Sequence, residues 1–260
     1  MKKPTTSYLA LTATLLLAAN PIGQALAAPE PSAYWTMDAI KLPDQTGGHD
    51  AKVPDLTGKP DRKTGEILPD FTPQTEEGIK GQALLLESKQ QGYLSVAAPG
   101  KFNLANGLTV SAWVKLKKIN SIANILSCAE DGPTPKGGWV LFCSYGTAVF
   151  KAVDNSGAFV GVSSAANSVA PNAWMHIAGV VDGANIRLYL NGEEVASSPF
   201  VGPVKLADTA LVIGNHATIG GWRHSECPAF GGLMDEVKIF EASLTAAEIK
   251  AEADQALAGK

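Results

Sequence analysis

The chain has 260 residues, 45% hydrophobic and 18% charged, with 21 Lys and Arg against 25 Asp and Glu and a formal net charge of −4. The small acidic excess, with no basic cluster beyond Lys115, Lys117 and Lys118, argues against nucleic acid as a partner. No apolar run reaches the ~20 residues a bilayer needs, so no membrane span is expected.

At the N-terminus Lys2 and Lys3 precede an apolar run over 9–19, and Ala25, Leu26 and Ala27 follow with small residues at both positions a signal peptidase reads. This is the pattern of a secretory signal peptide. Cleavage is expected after Ala27, because a cut after Ala28 would put Leu26 where a small side chain is wanted and Pro29 just beyond it. No cysteine sits at the cut to carry a lipid. The signal thus spans 1–27, and 28–260 is read as one exported domain, with periplasm and extracellular space both open as its destination. Losing Lys2 and Lys3 makes the remainder more acidic. Its length suits a single well-buried sandwich.

A short strand is expected over 33–37. The stretch 41–80, rich in Pro, Gly, Asp and Lys, has no sustained period and reads as irregular wrapping. Strands are then expected at 82–87, 92–97 and 108–116, the last with Leu108, Val110, Ala112, Val114 and Leu116 on one face. Further runs follow at 122–128, 138–145, 148–153 and 158–163. Residues 174–196 hold three strand-like runs joined by Asp182-Gly183 and Asn191-Gly192. Asx-Gly pairs supply the positive φ of tight hairpin turns, so an antiparallel meander is expected. Two more strands at 211–214 and 232–240 complete an all-β reading, a two-sheet antiparallel sandwich. Thr245 and Glu248 then form a capping box that opens a helix over about 245–257.

Cys128 and Cys143 end two runs separated by turn residues, so a cross-strand disulfide between them is a candidate. Cys227 is left over, either as a free thiol or as the true partner of one of the other two.

Five blocks resemble a known family. AYWTMD at 33–38, GQALLL at 81–86, LTVSAWVK at 108–115, WMHIAGVVDGANIRLYLNG at 174–192 and GGLMDEVKIFEASLTAAEI at 231–249 stand in the order seen in laminin G-like domains, a branch of the concanavalin A-like jelly rolls common in exported bacterial proteins. The resemblance implies a jelly roll of two stacked sheets, one concave, in a fold that hosts lectins, adhesion modules and glucanases. It also implies a calcium ion held by an acid of the last strand, Asp235, an acid after the first strand, Asp38, and a backbone carbonyl near Gly81. Strict alternation groups Asp235 with Leu233, Val237 and Ile239 on the apolar side, where its carboxylate needs either a cation or N–H donors.

The glucanase reading requires two carboxylates at even spacing on one strand, and no such pattern is present. Glu193 and Glu194 flank a hairpin turn, and Asp235 and Glu236 are adjacent. No Gly-x-Ser-x-Gly serine signature occurs, so no catalytic residue is assigned. His176 lies mid-strand and reads as a structural histidine bonded within the sheet. The segment NHATIGGWRHSECPAF at 215–230 is the candidate ligand contact. Trp222 offers a flat face to a sugar ring, and Asn215, His216 and Arg223 offer hydrogen bonds; plugging the end of the core is the other role open to Trp222. The spacing of His216, His224, Glu226 and Cys227 fits no established zinc pattern. Tyr145, Tyr189 and Trp139 are further aromatic candidates, with core packing as their alternative.

Two functions follow. One is a non-catalytic binding module for glycan or a cell-surface protein, stabilised by calcium. The other is a structural or protein-interaction domain with no small ligand; a hydrolase lacking the paired-acid motif stands behind both. An exposed aromatic row on the concave sheet would favour the first, and a Ser- and Thr-covered sheet the second.

Overall fold

The computed structural model describes residues 29–39, 44–47, 49–54, 66, 71–96, 102–129, 135–216 and 229–257. Fifteen strands and one α-helix run through these residues, and the strands form two antiparallel sheets. The first sheet comprises β13 (Glu193–Pro199), β12 (Asn185–Leu190), β11 (Met175–Val181), β6 (Leu108–Leu116), β15 (Gly232–Phe240), β4 (Gln82–Leu86) and β3 (Gln74–Glu77) in that order, with β1 (Ala33–Trp35) also on β15. The second runs β10 (Phe159–Ser163), β9 (Thr147–Val153), β8 (Gly138–Ser144), β7 (Ile122–Ala129), β14 (Leu211–Ile213), β5 (Leu94–Val96) and β2 (Ala51–Lys52). The jelly-roll sandwich read from the sequence is the observed architecture.

One core lies between the sheets. Val110, Ala112 and Val114 of β6 and Ile177 of β11 pack in it with Leu141 of β8, Phe150 of β9 and Ile213 of β14, and all are essentially inaccessible. Alternation along each strand turns the other side chains to the outer faces. The central meander forms as its turns dictate. Asn191 and Gly192 both take positive φ, the geometry of a two-residue hairpin turn. Asp182 caps a wider turn, its Oδ1 accepting the N–H groups of Ala184 and Asn185.

Helix α1 (Ala246–Leu257) lies on the outer face of the first sheet and buries Ile249, Ala253 and Ala256. Its capping box is formed in both directions. Thr245 N–H donates to Glu248 Oε2 at 2.7 Å, and Glu248 N–H donates to Thr245 Oγ1 at 3.3 Å. No helix among the described residues is long and apolar enough to cross a membrane. The signal peptide expected over 1–27 lies outside the described residues.

The Cys128–Cys143 disulfide is corrected. In the β7–β8 ladder Cys128 faces Trp139, and Cys143 faces Ala123. Cys128 sits near the turn and Cys143 at the far end of its strand, because successive antiparallel strands run in opposite directions. Four residues of strand separate the two levels, roughly 13 Å at 3.3 Å per residue, beyond any S–S bond. Both thiols are free and buried, and desolvation pushes them up to about 11 and about 12. Cys227 lies outside the described residues. Among the described residues, the stretch 41–80 holds two strands that the pattern did not reveal, β2 and β3.

Candidate functional site

Asp235 stands where the last strand changes partner. Met234 of β15 pairs with β4, whereas Val237, Lys238 and Ile239 pair with β1 on the same edge. A bulge against β6 between Asp235 and Lys238 marks the change, with Glu236 at φ +47. One extra residue resets the alternation. Leu233 therefore packs outside with Ala83 and Leu85, while Met234, Val237 and Ile239 face the core. The expected grouping of Asp235 with Leu233, Val237 and Ile239 on one face is thereby corrected.

The carboxylate of Asp235 is fully buried. Its Oδ2 accepts the N–H of Ile79 at 2.8 Å and of Lys80 at 3.1 Å, and its Oδ1 accepts the N–H of Glu236 at 2.8 Å. Burial nevertheless pushes its pKa up to about 7. Asp38 approaches the other end of the same turn, Oδ1 accepting the N–H of Gln82 at 2.7 Å. Both approaches require glycine. A Cβ on Gly78 would lie 2.4 Å from Asp235 Oδ2, and one on Gly81, at φ +63, would lie 2.2 Å from Asp38 Oδ1. The structure thus brings Asp38, Gly81 and Asp235 to one turn. Two carboxylates and a backbone carbonyl are hard oxygen donors of the kind calcium takes, and each carboxylate has lone pairs beyond those its N–H donors use.

Glu236 is engaged separately. Tyr34 Oη donates to both of its oxygens at 2.7 and 2.6 Å, and burial together with that bond holds the phenol well above its ordinary pKa. Glu194 lies 3.6 Å from Arg187 and accepts the Tyr189 hydroxyl at 3.2 Å.

The segment read as the ligand contact is anchored at its base. Gly214 N–H donates to Ile125 O at 2.8 Å, and Phe230 N–H returns to Gly214 O at 2.8 Å. Gly214 and Phe230 thereby meet at one point beside the second sheet. Asn215 sits at that point, fully buried, its Oδ1 accepting the His216 N–H at 2.8 Å while its Nδ2 has no hydrogen-bond partner. Trp222, Arg223, His224, Glu226 and Cys227 lie outside the described residues.

Of the other aromatic candidates, Trp139 is core, and Tyr189 is buried beside Leu244 and Ile249 on the helix side. Tyr145 is 64% exposed in the β8–β9 turn. Sequence reading missed the outer face of the second sheet. There Phe142 and Phe159 are half-buried, and the Lys151 ammonium lies 5.5 Å from the Phe159 ring centroid. Their odd spacing from the core-facing Trp139, Leu141 and Cys143 of β8 and Val162 of β10 was the available signal. His176 is buried as expected, its main chain held by Asn191 Oδ1, but its ring Nδ1 has no partner, unlike the bonded imidazole that was expected.

Comparison with known proteins places these features in a family. Residues 88–250 match the family model Laminin_G_3, described as the concanavalin A-like lectin/glucanases superfamily. Comparison with curated proteins gives no match. Among solved structures, the binding domain of botulinum neurotoxin serotype G is similar at a TM-score of 0.63 and 12% identity, over 87% of this chain and 51% of that one. The binding domain of Paraclostridial mosquitocidal protein 1 gives 0.63 and 16%, over 86% and 51%. The ligand binding domain of botulinum neurotoxin serotype D in complex with N-acetylneuraminic acid gives 0.58 and 16%, over 86% and 50%. The chain spans about half the length of these structures. At such identities the likeness is one of fold.

Proposed function

The chain belongs to the concanavalin A-like lectin/glucanases superfamily, and from that premise we propose that it is an exported, non-catalytic binding module for a carbohydrate or a cell-surface ligand. The observation that carries this reading is the buried Asn215 amide with no partner, at the anchored base of the 215–229 excursion. A buried donor left unpaired costs about 1–3 kcal/mol, and a bound hydroxyl or carboxylate is an acceptor that recovers it. Loops on a rigid sandwich are where such modules hold ligands. Trp222 and Arg223, seven and eight residues further along the sequence, are residue types that offer a stacking face and a charged fork. The binding domains named above, one of them in complex with N-acetylneuraminic acid, lend the reading support by fold.

Calcium is part of the proposal. Asp38, the Gly81 carbonyl and Asp235 would hold it, and the ion would bind the first and last strands through the turn between them. Its chemistry there is structural, a positive charge offsetting a buried carboxylate. The engagement of Asp235, Glu236 and Glu194 with local donors supports binding over hydrolysis, since none of them is left facing a second acid at the spacing a glycosidase needs.

A glycan array probed in calcium tests the proposal. The protein is expected to be retained on at least one glycan class, and Trp222→Ala to weaken that retention about tenfold, the scale of losing one stacking contact of about 1.4 kcal/mol. Absence of retention on every glycan in calcium contradicts a carbohydrate ligand.

A further inference from the structure

The outer face of the second sheet carries three side chains on one diagonal. Phe142 of β8 pairs with Val149, Lys151 of β9 with Gly161, and Phe159 of β10 with Val153. Val149, Lys151 and Val153 are successive outward positions of β9, so the ammonium stands between the two phenyl rings, each step leading one strand across and two residues along. At about 4.8 Å between strands and about 3.3 Å per residue, each step is roughly 8 Å and the whole row roughly 16 Å. A short oligosaccharide has that reach, and a single sugar ring does not.

The middle member is held in position and lacks a counter-charge. A Cβ on Gly161 would lie 2.7 Å from Lys151 Cγ, so the glycine is what lets the lysine stem lie across β10. The ammonium then rests 5.5 Å from the Phe159 ring centroid. Lys151 is half-buried, yet among the described residues no carboxylate pairs with it. The half-buried Arg187 and Lys238 of the first sheet are by contrast held by Asp182 and Glu252. The neighbouring outward residues, Phe142, Val149, Phe159, Gly161 and Ser163, bring no negative charge either. One end of the row adjoins the anchored segment described above. Phe142 faces Asn124 in the β7–β8 ladder, and the next residue, Ile125, accepts the Gly214 N–H at the base of 215–229.

We propose that this row binds an acidic oligosaccharide, a chain of pyranose rings bearing carboxylates, with one carboxylate on the Lys151 ammonium and the C–H faces of flanking rings on Phe142 and Phe159. The inference rests on the reading of the chain as a carbohydrate-binding module and names its ligand class. A phenyl face calls for C–H groups and a half-buried ammonium for an anion. A uronic acid presents both, its ring face apolar and its carboxylate at the rim. A run of acidic residues in a peptide meets the ammonium and leaves both rings uncovered.

The test is calorimetric titration of the full chain, at constant ionic strength and calcium, with short oligomers of galacturonate, mannuronate and glucuronate. Each is compared with its carboxyl-reduced form, which differs only in lacking the charge, and all with oligoglutamate of matched charge. At least one acid is expected to bind saturably, at least tenfold tighter than its reduced form and than oligoglutamate. Lys151→Met, which keeps the stem over Gly161, should weaken that acid at least tenfold and leave the reduced form unchanged, whereas Lys151→Arg should retain the preference. Phe159→Ala should weaken the acid and its reduced form alike. Equal binding of acid and reduced form, equal binding of oligoglutamate, or undiminished binding by Lys151→Met overturns the assignment. If neutral glycans are still retained on the array, the wider carbohydrate reading survives that result; retention of no glycan, neutral or acidic, removes both.

Discussion

The outer faces of the two sheets are finished in opposite ways. On the first, the helix seals β6, β11 and β15 with Ile249, Ala253 and Ala256, and the polar groups beneath it are drawn into ion pairs among Glu236, Lys238 and Glu252. On the second, outward residues of β8 to β10 stay partly open, among them Phe142, Lys151 and Phe159, with Gly161 and Ser163 exposed. The anchored base of the 215–229 excursion also belongs to this second sheet, at β14. One core can therefore serve two surfaces, one spent on holding the fold together and one available for recognition.

Damage to the closed side should appear first as lost stability. Asp235→Ala leaves the N–H groups of Ile79, Lys80 and Glu236 unpaired. A loss of about 3 kcal/mol is expected, read by calorimetry as a fall in Tm of roughly 6–12 °C. An unchanged Tm would remove the strand-tying role given to this carboxylate.

Calcium gives the next largest effect. At a free concentration about a hundred times its Kd, it should stabilise the fold by about 2.7 kcal/mol, and EDTA should lower the Tm correspondingly. Asp38→Ala should abolish that difference. If EDTA leaves the melt of the wild-type chain unmoved, no ion is held there.

His176 gives the helix side a pH dependence. Its folded pKa, about 3, lies below the ordinary value of 6.5, so between those limits the unfolded chain binds the extra proton. Stability is fully present above 6.5 and is lost as pH falls toward 3, by at most about 1.4 kcal/mol per pH unit. Melting curves across this window should flatten in His176→Gln. A variant slope equal to that of the wild type would assign the acid sensitivity elsewhere. The Lys238–Glu252 pair should matter least, since both side chains keep some water contact. Glu252→Gln is expected to cost about 1 kcal/mol, measured by urea unfolding.

Where local chemistry decides structure, the sequence was readable. Asn191-Gly192 supplies a turn that only positive φ permits, and Thr245 with Glu248 supplies a helix start whose two hydrogen bonds both form. Strand β3, QTEE, offered nothing to find, because as an exposed edge strand it has no apolar alternation. The bulge at Asp235 and Glu236 was equally silent, since a glutamate at φ +47 carries no compositional mark of its conformation. That single silent residue reversed the faces read along β15. Asp38, Gly81 and Asp235 were assembled by resemblance and do meet at one turn, whereas the cysteine pairing failed on the direction of two strands. A cavity under the helix, lined among others by Lys80, Trp113, His176, Glu236 and Glu252, escaped notice because its members come from five separate segments.

The most direct measurement is to incubate the purified protein with a glycan that retains it and to follow both bound protein and newly formed reducing ends. Saturable retention with no increase in reducing ends over the protein-free control is predicted. Release of reducing ends in proportion to protein would contradict the account, because it would require a reactive pair of acids where each of these carboxylates is already engaged.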